Sequence, residues 1–189
     1  SFGYSDDDDQ TVLEDMEDNY TAVYIRRPYA VPAGIPAGTE ITLAIRYDDA
    51  FVAYLDGKEV LRQGMEGSGS AVRKVKSHEA DVWEYFKLGP AVAGHKGVIA
   101  IEGHNDKITS SDFTLRPRLD LRANGKLTPL VKEGAKWAYL AGGTPRAGRT
   151  YRGGVSPGDC AGLLYERRKS TRRNPTHAVM SSPRVFWTK

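Results

Sequence analysis

Cysteine is almost missing from this 189-residue chain. Cys160 stands alone, so no internal disulfide forms, and no Cys/His cluster offers structural zinc. Long apolar runs are missing too: the longest, around Val98–Ile101, is strand-sized and far short of the roughly 20 residues a membrane helix needs, so no membrane span is expected. No stretch sustains a helical period. Gly-x-Ser-x-Gly is absent, and Gly67-Ser68-Gly69-Ser70 reads as a flexible loop instead of a nucleophile elbow. The histidines His78, His95, His104 and His177 lie far apart without metal-ligand spacing, and no phosphate loop is present. The chain opens on Ser1 without a charged-then-apolar leader, so compartment has no signal to read.

Charge is present but uneven. Residues 1–115 hold 20 Asp and Glu against 11 Lys and Arg, a net of −9, whereas residues 116–189 hold 4 against 16, a net of +12. An acidic body is thus followed by a basic tail. The run Arg167-Arg168-Lys169-Ser170-Thr171-Arg172-Arg173 would hold phosphates in a salt-sensitive way, as any such run does. The acidic body repels a polyanion and lacks aromatics interleaved with basic residues on a strand face, so nucleic acid is not an expected partner.

The β texture begins at Tyr20. Tyr20–Arg26 is rich in β-branched and aromatic residues, and Pro28 and Pro32 are expected to close that strand. Glu40–Asp48 alternates, with Ile41, Leu43, Ile45 and Tyr47 on one face and Thr42, Ala44, Arg46 and Asp48 on the other. Asp56-Gly57 between Phe51–Leu55 and Lys58–Arg62 is the strongest hairpin signal. Further strands are expected at Val82–Leu88, Gly97–Gly103 and Asp112–Leu121, and Leu130–Leu140 reads as a strand pair. Short strands joined by Gly/Asp turns indicate an all-β antiparallel sandwich over residues 1–140. Residues 141–189 carry 10 basic and 2 acidic residues with few apolar positions, and are expected to be an irregular or loosely packed extension. Their dense arginines resemble translation in an unselected reading frame.

Residues 5–18 hold eight carboxylates and no base. Such a block is either a solvated acidic terminus or an irregular structural calcium site on Asp6, Asp7, Asp8 and Asp9, since Ca²⁺ takes six to eight oxygens.

Five segments in order carry a family resemblance: Gly3–Val12, Asn19–Arg27, Arg46–Val60, Val98–Asn105 and Ser110–Phe113. Together they resemble a jelly-roll module of the galactose-binding-like type, over roughly residues 3–121. The resemblance implies a sugar-binding or adhesion module of large secreted bacterial proteins, extracellular or at the cell surface, where such modules stand beside phosphoesterase or other hydrolase domains. Leu130–Leu140, with its Gly134-Ala135-Lys136-Trp137, resembles the segment that opens such modules. It either begins a second module or completes this one in permuted order.

Alternation also groups chemistry. If Ile99 and Ile101 face the core, Ala100, Glu102 and His104 face outward, and Arg46 and Asp48 do so on their own strand. Were the two strands neighbours in one sheet, Arg46, Asp48, Glu102 and His104 would form one polar patch. That patch is either a satisfied cross-strand cluster with Arg46 on Glu102, or a glycan site with Asn105 nearby and Trp83 and Tyr85 as an aromatic platform. An enzymatic alternative takes Asp48 or Asp49 with Glu102 as the carboxylate pair of a small glycoside hydrolase. A non-catalytic polysaccharide- or glycan-binding module is the reading favoured; a structural spacer without ligand is the third.

Overall fold

The computed structural model describes residues 1–5, 9–67, 72 and 74–142; these contain strands and, among the described residues, no helix. The alternation seen along residues 40–48 sets the layers. β4 (Glu40–Tyr47) buries Ile41, Leu43, Ile45 and Tyr47, and β11 (Phe113–Ala123) pairs with it antiparallel and buries Phe113, Leu115, Leu119 and Leu121. β9 (Glu84–Pro90) lies on the far side of β4. On the other edge of β11 sit β1 (Phe2–Tyr4), with β2 (Thr11–Val12) parallel to it, and β12 (Lys126–Val131). These six strands make the first sheet.

The second sheet runs β13–β3–β10–β5–β6, from β3 (Ala22–Ala30), β5 (Ala50–Leu55), β6 (Lys58–Gln63), β10 (Lys96–His104) and β13 (Ala138–Ala141). Val23, Ile25, Phe51, Ala53, Ile99 and Ile101 meet the apolar face of the first sheet in one shared core. The protein is therefore an all-β sandwich. Gly103 lies where the layers come closest: a side-chain carbon there would press on Phe113 and Leu115. A small ribbon, β7 (Met65–Glu66) with β8 (Lys74–Val75), lies outside the second sheet, and Met65, Val72 and Val75 pack over Val52, Tyr54 and Ala100.

Turn chemistry explains the hairpins. Asp56 and Gly57 adopt φ of 50° and 77° between β5 and β6, the left-handed pair that matches strand twist. Asn124-Gly125, with φ of 50° and 76°, does the same between β11 and β12, although the sequence reading stopped its last secure strand at Leu121.

Three expectations need correction. Pro28 does not close its strand, because β3 continues to Ala30; β13 pairs only with Val23–Arg26, so the edge beside Pro28 needs no donor there. Residues 130–140 do not form a strand pair. β12 joins the first sheet and β13 the second, with the buried Trp137 between them in the main core. Arg27 donates from its guanidinium to the Lys136 carbonyl, fixing the approach to β13. The segment thus completes this sandwich. The third correction, of the Arg46–Glu102 pairing, belongs to the site. The expected basic extension lies, beyond Gly142, outside the described residues.

Trp137→Ala should therefore cost about 3–5 kcal/mol in chemical denaturation, the range for emptying a buried aromatic site. A change within about 0.5 kcal/mol, the level of an inert surface position, would show that residues 137–141 are dispensable to the sandwich.

Candidate functional site

Arg46, Asp48, Glu102 and His104 would share one surface only if their strands were neighbours in one sheet, and the structure separates them. β4 belongs to the first sheet and β10 to the second, because Asp48 and Asp49 carry the chain across from β4 to β5, and β10 pairs with β5. Alternation gave each strand its faces correctly, but it cannot tell which sheet a strand joins. Arg46 does not pair with Glu102; its Nε donates to the Ala80 carbonyl at 2.7 Å.

Glu102 and His104 occupy the outer face of the second sheet, where both are buried. Tyr54 donates its hydroxyl to Glu102 Oε1 at 2.8 Å, His104 Nε2 lies 3.4 Å from Glu102 Oε2, and the Tyr24 ring meets the His104 ring edge-on at 6.0 Å. Glu102 is only 4% exposed, so this cluster is an interior network.

Trp83 and Tyr85 come instead to the outer face of the first sheet. Register sets Tyr85, Ala44 and Arg118 in one row, and Lys87, Thr42 and Asp120 in the next, while Arg46 stands opposite Arg116. The Arg116 and Arg118 guanidiniums lie 6.0 and 5.6 Å from the Trp83 ring centroid, within cation–π range. Arg116 is held by Glu133 at 2.8 Å. Arg118 donates Nε to Asp120 Oδ2 at 2.8 Å, and Tyr85 stands in the same cross-strand row. Asp120 is fully buried, and its Oδ1 has no hydrogen-bond partner; neither has the Thr42 hydroxyl directly across from it. Tyr85 leaves 51% of its surface exposed. A buried acid thus fixes an arginine, and the arginine lies against the Trp83 ring. Arg116, Arg118, Asp120 and Thr42 were missed from the sequence, though the i, i+2 polar series along β11 between Leu115, Leu119 and Leu121 was there to be read.

The third group lies at the corner. Asp49 accepts from the backbone amides of His78 at 2.9 Å and Asp106 at 2.7 Å, and so ties two loops to the β4–β5 junction. His78 also stacks on Tyr47 (4.1 Å between centroids, 6° between planes) and reaches Glu84 Oε1 at 2.8 Å. Asn105 donates to the Tyr4 hydroxyl at 3.1 Å and to the Asp112 carbonyl at 3.0 Å, and Tyr4 in turn donates to the Ser110 carbonyl at 2.6 Å. Beside them, oxygens of Asp48, Glu79 and Asp112 all lie within 4.8 Å of one another. Burial, with the charges of Asp49, Asp112 and Glu79 adding to it, pushes the Asp48 carboxyl up to about 8. Burial likewise raises Tyr4; Asn105 offsets part of that, and Glu17, Asp112 and Asp48 add to it.

Of the expected metal run, Asp6, Asp7 and Asp8 lie outside the described residues, and the carboxylate of Asp9 lies close to Gly3. The hydrolase alternative needs Asp48 or Asp49 to face Glu102. The carboxylate of Asp49 is engaged by loop amides and that of Glu102 by Tyr54 and His104 on the outer face of the second sheet.

In buffer without divalent cations, the folded chain keeps a proton on Asp48 that the unfolded chain has already released above pH about 4. Stability should therefore fall as pH rises from about 4 to about 8 and level off beyond. Asp48→Asn should flatten that slope in thermal melts, and an unchanged slope would refute the assignment to Asp48.

No protein-family model matches the chain, and no curated protein does. Solved structures that resemble it include the α-L-rhamnosidase of Streptomyces avermitilis complexed with L-rhamnose, at 18% identity and a TM-score of 0.45, over 68% of this chain and 11% of that one. A rhamnosidase of a Bacillus species matches at 16% identity and a TM-score of 0.44, over 79% and 16%. The lectin of Pleurotus ostreatus in complex with GalNAc matches at 16% identity and a TM-score of 0.38, over 67% and 32%. The chain thus spans a third or less of the length of each of these three.

Proposed function

We propose that the chain is a non-catalytic carbohydrate-recognition module of a secreted bacterial protein, and that it holds its glycan on the outer face of the first sheet. One observation carries this reading. Tyr85 is half exposed on the outer sheet face, in one cross-strand row with Arg118, which the fully buried Asp120 orients. Burying a carboxylate under a solvent-facing surface is costly unless the group it orients has a use there. With Trp83 beside the same guanidiniums, the face offers what a hydroxyl-rich ligand requires: aromatic planes for the C–H faces of sugar rings, guanidinium donors, and a carboxylate acceptor in Glu133. The galactose-binding-like resemblance of the sequence points the same way. Its secreted, extracellular setting is part of the proposal.

Calorimetric titration against a panel of soluble polysaccharides tests it. One member should bind without release of reducing sugar, and Tyr85→Ala and Trp83→Ala should each weaken that binding roughly tenfold or more, the size of a single aromatic contact at a small interface. Far-UV circular dichroism should stay unchanged for Tyr85→Ala. No binding to any member, or binding that both variants retain in full, would overturn the assignment of this face.

A further inference from the structure

Three segments distant in the chain meet at the corner: the β4–β5 junction with Asp48, the loop before β9 with Glu79, and the loop before β11 with Asp112. Each is fixed by its own backbone. The Asp48 amide donates to the Thr114 carbonyl at 2.9 Å. Glu79 stands between His78, whose amide is held by Asp49, and Ala80, whose carbonyl is held by Arg46. The Asp112 carbonyl accepts from Asn105, and Ser111 Oγ donates to Asp112 Oδ1 at 3.3 Å. The three carboxylates are therefore brought together by well-anchored chain and not by mobile side chains.

What the arrangement lacks is positive charge. Among the described residues, no lysine, arginine or histidine forms an ion pair with any of the three. Two further observations do not depend on the count of acids. Asp48 is 5% exposed, and its carboxylate belongs to the cluster. Asn105, 3% exposed and anchored to the Asp112 carbonyl, has a side-chain oxygen with no hydrogen-bond partner among the described residues. Buried acceptors without donors are rare and costly, and a bound cation satisfies them.

We propose that Asp48, Glu79 and Asp112 bind a divalent cation of the calcium class, which fastens the two loops to the β4–β5 corner. The donor set decides the class. It consists only of oxygen, with neither the imidazole nor the thiolate that zinc and the later transition metals favour. Calcium–oxygen bonds run about 2.3–2.6 Å, so ligands on opposite sides of the ion stand about 5 Å apart, and water completes a shell of six to eight. The 4.8 Å spread of the three oxygens fits that span, whereas magnesium demands a tighter octahedron. Asp49 is then a positioning residue: it touches no ion, and it holds the loops that bring Glu79 and Asp112 in.

The full chain, stripped with EDTA and exchanged into metal-free buffer, is titrated with CaCl₂ by calorimetry and with terbium by luminescence excited through tyrosine. One calcium per chain should bind and raise the melting temperature, with magnesium weaker. Glu79→Gln should weaken calcium about tenfold or more while leaving the metal-free melt unchanged, since its side chain is exposed, and Asp112→Asn should do the same. If Asp112→Asn does not fold, Glu79→Gln decides alone. A chain with asparagine at positions 6 to 9 should bind as the parent does. The proposal fails if neither ion binds, if Glu79→Gln binds calcium like the parent, or if only the chain altered at positions 6 to 9 loses the ion.

Discussion

Two residues, Asp48 and Asp49, carry the chain from one layer of the sandwich to the other, and most of what is specific to this molecule depends on that crossing. A connection so short leaves no room for a surface loop, so both acids are buried beside the core. The fold makes use of this. Each Asp49 oxygen accepts a backbone amide, and charge-assisted bonds of this kind are stronger than neutral ones. The amides belong to the loops that precede β9 and β11, so the ends of two first-sheet strands take their positions from a residue at the mouth of the second sheet. For Asp48, burial and then the neighbouring charge of Asp49 raise the proton affinity.

The two outer faces meet different fates for reasons of covering. Over the second sheet, the β7–β8 ribbon closes on Val52, Tyr54 and Ala100, and in the same face Glu102 is satisfied by Tyr54 and His104. Over the first sheet, β9 ends the layer, and its rings and the β11 arginines stand outward. Both faces carry buried carboxylates, Glu102 on one and Asp120 on the other. The difference lies in what they hold. Glu102 holds buried groups, whereas Asp120 holds Arg118, which lies against the Trp83 ring.

Local chemistry was legible in the sequence, and pairing was not. Period-two alternation assigned Ile41, Leu43, Ile45, Ile99 and Ile101 to the core correctly, because facing is a property of one strand. Asp56-Gly57 announced its hairpin, and Asn124-Gly125 carried an equally direct signal that the basic composition after it obscured. Whether β4 and β10 share a sheet is a question about strands some fifty residues apart, and no local pattern contains the answer. The patch of Arg46, Asp48, Glu102 and His104 therefore dissolved. Trp83 was grouped with Glu102 and His104, but its partners come from β11. Pro28 misled for a related reason: its cost depends on whether a neighbour needs its missing donor, which is settled by where β13 stops.

The uneven charge of the chain acquires a spatial meaning once the strands are paired. Five of the 20 acids of the first 115 residues, Asp48, Asp49, Glu79, Asp106 and Asp112, lie at or beside the corner. The basic surplus begins on β11, whose Arg116, Arg118 and Arg122 share the outer face with Arg46. Arg46 belongs to both regions. Its guanidinium grips the Ala80 carbonyl, one residue from Glu79, while its strand position lies opposite Arg116, which sits by the Trp83 ring. Any force that orders the loop carrying Glu79 thus bears on a residue of the aromatic face, and His78, bonded to Glu84 at the start of β9, makes a second link between the same loop and the strand of Tyr85. The corner and the face are chemically opposite, yet mechanically they are one region, joined through loop residues 78–80.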